Sequence, residues 1–306
     1  MTIAINQDEN LTLPDSWNEM DNRQLLTVYQ LLFQDAEPLL SATEVLPYKR
    51  IQVMQALTGW DDNFLAKLKA DMVAELGEEE GKHRFSAMLH NASKDVSAPY
   101  LETNEEGASS VRLSLTRNPY PEFTFKHRGR RRSYYGPADE LGNLSIYELC
   151  VAFTLFEAYL KNPGDDAADT LIATLWRPPK PSTPDNKARA YQGDRRLPYQ
   201  GYEAATDGRK NRIRKLPPIV KKVILFYFAS SRQQIISGYQ NLFSQDKRQV
   251  ERVGNDYGWG AMLIQLAGGL ANLETIGTQS WQNAFTYLSY LEDQRKLAEM
   301  RRQAKR

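Results

Sequence analysis

Cysteine is almost missing from this chain. Cys150 stands alone among 306 residues, which excludes an intrachain disulfide and a thiolate metal cluster. Histidine is nearly as scarce. His83, His90 and His127 are the whole set, and no spacing among them or to Cys150 suits zinc. Cys150 falls in the apolar pattern of an expected helix, where a small buried hydrophobe is the simpler reading than a nucleophile. His83 and His90 can share one helix face, and a surface position accounts for them better than a ligand role.

Long apolar runs are lacking too. A membrane-spanning helix needs about 20 apolar residues, and the best candidate, Val220 to Ile236, is interrupted by Lys221, Lys222 and Arg232. Asp8 and Glu9 occupy the region where an export signal would be basic, so no export and no membrane partner are expected. Nucleotide loops are missing as well. Gly77-Glu-Glu-Glu-Gly-Lys has three residues, all acidic, where a phosphate loop needs four that do not repel phosphate. There is no Gly-x-Ser-x-Gly elbow. The carboxylate pairs Asp61-Asp62 and Asp165-Asp166 open expected helices, where the helix dipole explains them without catalysis. The expectation is a non-enzymatic binding protein with no catalytic, cofactor-binding or metal-binding residues, and no cofactor.

What is present is enough for a core. Apolar residues make up 41% and charged residues 25%, as in ordinary globular proteins. Net charge is +1, but it is unevenly spread. Residues 1–110 hold 19 acidic and 8 basic residues, residues 177–215 hold 11 basic and 4 acidic, and Arg112 to Arg132 adds seven basic residues against Glu122 alone. Such asymmetry can steer a charged partner or let neighbouring copies meet; two solvated faces are the plainer alternative.

Periodicity predicts a mainly α protein: multi-helix, bundle-like domains with a small β-hairpin and a long irregular basic loop. Residues 1–90 form an acidic N-terminal helical domain. It opens with the alternating segment Thr2-Ile-Ala-Ile-Asn, a short strand or pairing arm. Asp21 and Gln24 make a capping box before Leu25, Val28, Tyr29, Leu32 and Phe33. Further helices are expected over 44–57 and 61–76, with Gly77 as the stop. Residues 91–135 read as a polar link, flexible over 91–110, followed by a basic hairpin. In that hairpin Val111-Arg-Leu-Ser-Leu pairs with Phe123-Thr-Phe-Lys across Asn118-Pro-Tyr-Pro. Residues 136–306 form the main helical domain. Its helices begin at a Ser145/Glu148 capping box, at Asp165 or Asp166, near Lys210, after Pro217-Pro218 and at Trp281. The last one frays from Arg295 onward, and an irregular basic surface loop spans 177–208.

The run Lys126-His-Arg-Gly-Arg-Arg-Arg-Ser-Tyr-Tyr is the strongest local signal. Lys126, Arg128, Arg130, Arg131 and Arg132 beside Tyr134 and Tyr135 could neutralise phosphates and stack bases. A contact with an acidic protein surface is favoured over nucleic acid, because no nucleic-acid module accompanies the run.

Four motifs carry a resemblance: Leu13-Pro-Asp-Ser-Trp-Asn-Glu-Met, Tyr134-Tyr-Gly-Pro-Ala-Asp-Glu-Leu-Gly-Asn-Leu-Ser, Leu171-Ile-Ala-Thr-Leu-Trp-Arg-Pro and Gly193-Asp-Arg-Arg. Together with Tyr257-Gly-Trp and the helix after Trp281, they make the chain resemble proteins of the tail gene cluster in phages and prophages of Bacteroidetes-type bacteria. The resemblance implies a tail assembly chaperone in the host cytoplasm, with the tape-measure protein or another tail protein as partner and with self-association. The alternative is a structural virion protein of the tail or connector. A tape-measure chain is long and amphipathic, so a chaperone would cover its apolar stripe by helix-in-groove contacts. Tyr257, Trp259, Trp281, Phe285, Tyr287 and Tyr290 are the candidates for that groove, with ordinary core packing as the competing reading.

Overall fold

The computed structural model describes residues 2–6, 9–34, 42–103, 109–127, 129–180, 194–199, 203–243 and 258–304. The protein is mainly α-helical. It divides into two compact units, Met1–Leu115 and Thr116–Arg306.

The first unit opens with β1 (Thr2–Asn6), paired antiparallel with β2 (Glu9–Thr12). A turn follows in which Leu13, Trp17 and Met20 are buried. The Trp17 ring meets the Tyr100 ring edge-on at 5.2 Å, and the Tyr100 hydroxyl donates to the Pro14 carbonyl at 2.6 Å. Helix α1 (Asn22–Phe33) starts at the Asp21/Gln24 capping box and buries Leu25, Val28, Tyr29 and Leu32. Each fully buried side chain of this kind contributes about 1.5–3 kcal/mol, which fixes the face that α1 turns inward. Helices α2 (Ala42–Thr58) and α3 (Asp62–Leu76) follow. Asp61 caps α3 by accepting from the Phe64 amide, and Gly77 ends it at φ +87°.

A fourth helix, α4 (Glu78–Ser97), occupies the region where the sequence predicts the domain's end and a flexible link. Its polar composition hides a helical signal. Phe85, Met88, Leu89, Ala92 and Val96 recur at three- and four-residue spacing, and Glu78, Glu79 and Glu80 suit the positive end of the helix dipole. Salt bridges Lys82–Glu78 and Arg84–Glu80 add i,i+4 support. Gly81 lets α3 and α4 approach closely, since a Cβ there would lie 2.5 Å from Val73 Cα. Gly81→Ala is therefore expected to cost roughly 1–3 kcal/mol, read as a lower denaturation midpoint. Strands β3 (Leu101–Thr103) and β4 (Ser109–Val111) then pair with each other. The unit runs to Leu115, so the boundary expected at residue 90 falls inside α4.

In the second unit, β5 (Glu122–His127) pairs with β6 (Arg130–Tyr135). This corrects the expected hairpin. Val111 pairs back onto Leu101 rather than forward onto Phe123, and the basic run itself supplies the second strand. The reason is the turn: Asn118-Pro-Tyr-Pro carries two prolines, whereas Gly129 takes the positive φ (+75°) that a two-residue connection needs.

A 3-10 turn (Asp139–Leu141) leads into α5 (Ile146–Lys161), capped by Ser145 and Glu148 as expected. Helix α6 (Asp165–Leu175) starts at Gly164, with Asp165 and Asp166 in its first turn rather than at the cap. Next come α7 (Glu203–Ile213), α8 (Pro218–Gly238), α9 (Gln240–Phe243), α10 (Gly258–Ala267), α11 (Leu273–Gly277) and α12 (Trp281–Gln303). Helix α12 continues to Gln303, through the tail expected to fray from Arg295.

Helix α8 is buried on nearly every face. Phe228 packs against Phe153 and Phe156 of α5, with ring centroids 6.0 and 5.1 Å apart. Among the described residues no helix is long and apolar enough to cross a membrane, and no group of three His, Cys, Asp or Glu is placed to hold a metal ion.

Candidate functional site

The basic hairpin divides its residues between two faces. Residues directly opposite in an antiparallel ladder share a face, so Phe123, Phe125, Arg132 and Tyr134 lie on one side and Lys126, Arg131 and Tyr135 on the other. Tyr134 is buried, meets Phe125 edge-on at 5.5 Å and accepts a hydrogen bond from Arg212, whose guanidinium stands 5.5 Å from the ring centre. Phe123 packs against Trp176. These aromatics anchor the hairpin base. Tyr135 is half-buried and joins its backbone to Arg177 in both directions. Lys126, Arg130, Arg131 and Arg132 are exposed. Arg128 lies outside the described residues. The run therefore presents cations to solvent but keeps its best stacking ring, Tyr134, for the fold.

Three of the residues expected to line an apolar groove, Trp259, Trp281 and Phe285, are instead packed against other side chains. Trp281 is buried, its indole N–H donating to the Leu141 carbonyl at 2.9 Å. Phe285 is fully buried, against Tyr239, Phe243 and Trp281. Trp259 is half-buried against Phe153 and Phe243. Core packing claims all three, because a large aromatic at helical spacing is the cheapest way to fill an interior. Tyr257 lies outside the described residues.

Tyr287 and Tyr290 are different. They are 52% and 58% exposed, and Leu291, Leu297 and Met300 are exposed beside them. At 100° per residue, the buried residues Trp281, Ala284, Phe285 and Leu288 occupy one side of α12. Tyr290 and Leu297 lie on the opposite side with Tyr287 flanking them, and Leu291 borders the buried face. The helix is thus apolar on two faces, one of them solvent-facing.

A buried charge network went unseen in the sequence. Arg177 and Arg196 are each 1% exposed, although both fall in the segment expected to be a surface loop. Residues 177–180 and 194–197 run antiparallel, joined by the Pro179–Arg196 bridge and by Lys180 and Leu197 amides donating to the Arg195 and Pro178 carbonyls. Arg196 grips Asp194 through Nε (2.8 Å) and Nη2 (3.0 Å), reaches Glu148 Oε2 at 3.2 Å, and donates to the Leu175 and Asn143 carbonyls. Arg177 Nη1 lies 2.5 Å from the other Glu148 oxygen. Burial first, and the neighbouring Arg196 second, lower the Arg177 proton affinity from its ordinary value. The end of the expected loop is also corrected, since α7 begins at Glu203. The signal was available in part: both arginines belong to motifs that carried the resemblance, and the Leu175-Trp176 pair ahead of Arg177 is apolar enough to pull it inward.

Cys150 is buried, and burial pushes its thiol up to about 12. Between pH 7 and 9 the native thiol stays protonated, so a thiolate-selective disulfide reagent is expected to label it only when the protein unfolds. Rapid labelling of the native chain would contradict that burial.

Comparison with known proteins finds no matching family model, no matching curated protein and no matching solved structure.

Proposed function

We propose that this chain is a non-enzymatic tail assembly protein that shields an amphipathic helical partner, the tape-measure protein or another tail protein, through the outer face of α12. The observation that carries the reading is the exposed apolar stripe Tyr287, Tyr290 and Leu297, turned away from the face that α12 buries. Its spacing of three residues and then seven suits a helix laid alongside. Arg301 and Arg302 are exposed at its end, so a partner helix with acidic flanks fits better than a basic one.

Co-expression with a phage tape-measure protein is expected to keep that protein soluble and to yield a co-purifying complex. If the tape-measure chain precipitates equally with and without this protein, the shielding role fails. The exposed cations of the β5–β6 hairpin support a second reading, a structural tail or connector protein that meets acidic neighbours. Mass spectrometry of purified virions separates the two: a chaperone is absent from the particle and a component is present.

A further inference from the structure

The β5–β6 hairpin carries cations on both of its faces. The one carboxylate in residues 122–135, Glu122, lies opposite Tyr135 at the base of the ladder. Side chains alternate along each strand, so Arg130 and Arg132 fall on the face of Phe125. Lys126 and Arg131 fall on the other face. All four are exposed. The ladder pairs from Phe125 and Arg132 to His127 and Arg130 place them in a tip about 10 Å long, at roughly 3.4 Å per residue.

The base of the ribbon is anchored. Tyr134 is buried against Phe125 and Arg212, Phe123 packs on Trp176, and the Tyr135 and Arg177 backbones bond to each other in both directions. A tip held this way has less order to gain on binding, which lowers the cost of association. An acidic protein surface would meet one face of the ribbon and leave the cations of the other face in water. The major groove of duplex DNA is about 12 Å wide and about 8.5 Å deep, and it admits a two-stranded ribbon between two phosphate backbones. Single strands fit less well, because they are gripped by stacked aromatic rings and Tyr134 is committed to the fold.

We propose that the β5–β6 hairpin inserts its tip into the major groove of duplex DNA, with Arg130 and Arg132 meeting one phosphate backbone and Lys126 and Arg131 the other. Composition alone favours an acidic protein surface for this run; the placement of its cations on two faces reverses that preference. The contacts are to phosphates, which position the ribbon without reading sequence. No residue of the tip belongs to the α12 stripe, so the DNA contact can stand or fall without the assembly role.

The test uses the full chain and a short labelled DNA duplex of mixed sequence, followed by fluorescence anisotropy across a series of sodium chloride concentrations. Four neutralised phosphates predict that the logarithm of the binding constant falls against the logarithm of salt with a slope of about −3 to −4. Lys126→Gln, on one face, and Arg132→Gln, on the other, should each reduce the steepness by about one. Lys67→Gln, exposed on α3, should leave it unchanged. Oligothymidylate of equal phosphate number and polyglutamate of equal charge should both bind more weakly than the duplex. No duplex binding at low salt, or a slope that responds to only one face, would overturn the proposal. Polyglutamate bound as tightly as the duplex would overturn it in favour of an acidic protein surface, and oligothymidylate bound as tightly in favour of single strands. Should a variant not fold, the ranking of the three probes by the wild-type chain still decides.

Discussion

Glu148→Ala is expected to destabilise the second unit by about 3–5 kcal/mol, because it leaves buried guanidinium charge without its carboxylate. Glu148 touches both Arg177 and Arg196, at 2.5 and 3.2 Å, and also closes the capping box of α5 by accepting from the Ser145 amide. Glu148→Gln keeps an acceptor for the cap but loses the charge, so it should lie between wild type and alanine. Urea unfolding followed by fluorescence checks the order. A loss under about 1 kcal/mol for Glu148→Ala, the size of a lost cap alone, would mean that the two arginines gain little from this carboxylate.

The second large effect separates the two faces of α12. Phe285 is fully buried among three aromatic rings, and Phe285→Ala is expected to cost about 3–5 kcal/mol through lost burial and the cavity left behind. Five residues along the same helix, Tyr290 is 58% exposed, and Tyr290→Ala should stay within about 0.5 kcal/mol. Helix propensity differs little between the two changes, so the contrast isolates packing. Equal losses from both would show that the outer face is not available to a partner.

Much of the fold was legible because local signals agreed with tertiary packing. The Asp21/Gln24 and Ser145/Glu148 capping boxes form as the spacing dictates, and the all-round apolar run of α8 is buried as its composition requires. The Gly136-to-Ser145 segment is the specified turn that its capping residues suggest. Asp139 accepts from the Asn118 amide, and Asn143 accepts from the Ala138 amide.

Three things were not legible, each for a physical reason. Helix α4 carries its apolar residues among so many charges that composition outweighed period. The hairpin partner was chosen by alternation alone, when turn chemistry at Gly129 and the two prolines of Asn118-Pro-Tyr-Pro decided it. The arginines of the 177–196 region were counted as surface because a cation is assumed to be solvated unless a partner is visible. Here the partner, Glu148, comes from a helix start 29 residues before Arg177.

The candidate site was legible only in outline. An aromatic and aliphatic series along the last helix is plain in the sequence, but which members face inward depends on α5, α9 and the 3-10 turn they meet. Trp281 is held by the Leu141 carbonyl and Phe285 by Tyr239 and Phe243, and this leaves Tyr287 and Tyr290 outside.

The most direct test is the affinity of the tape-measure protein for the chain carrying Tyr287→Glu and Leu297→Glu. Two charges placed in the stripe should weaken binding by roughly 30-fold or more, the loss of about 2 kcal/mol expected at an interface centre. The variant's own unfolding midpoint should stay close to wild type. Unchanged affinity in a folded double variant would contradict the docking role of α12.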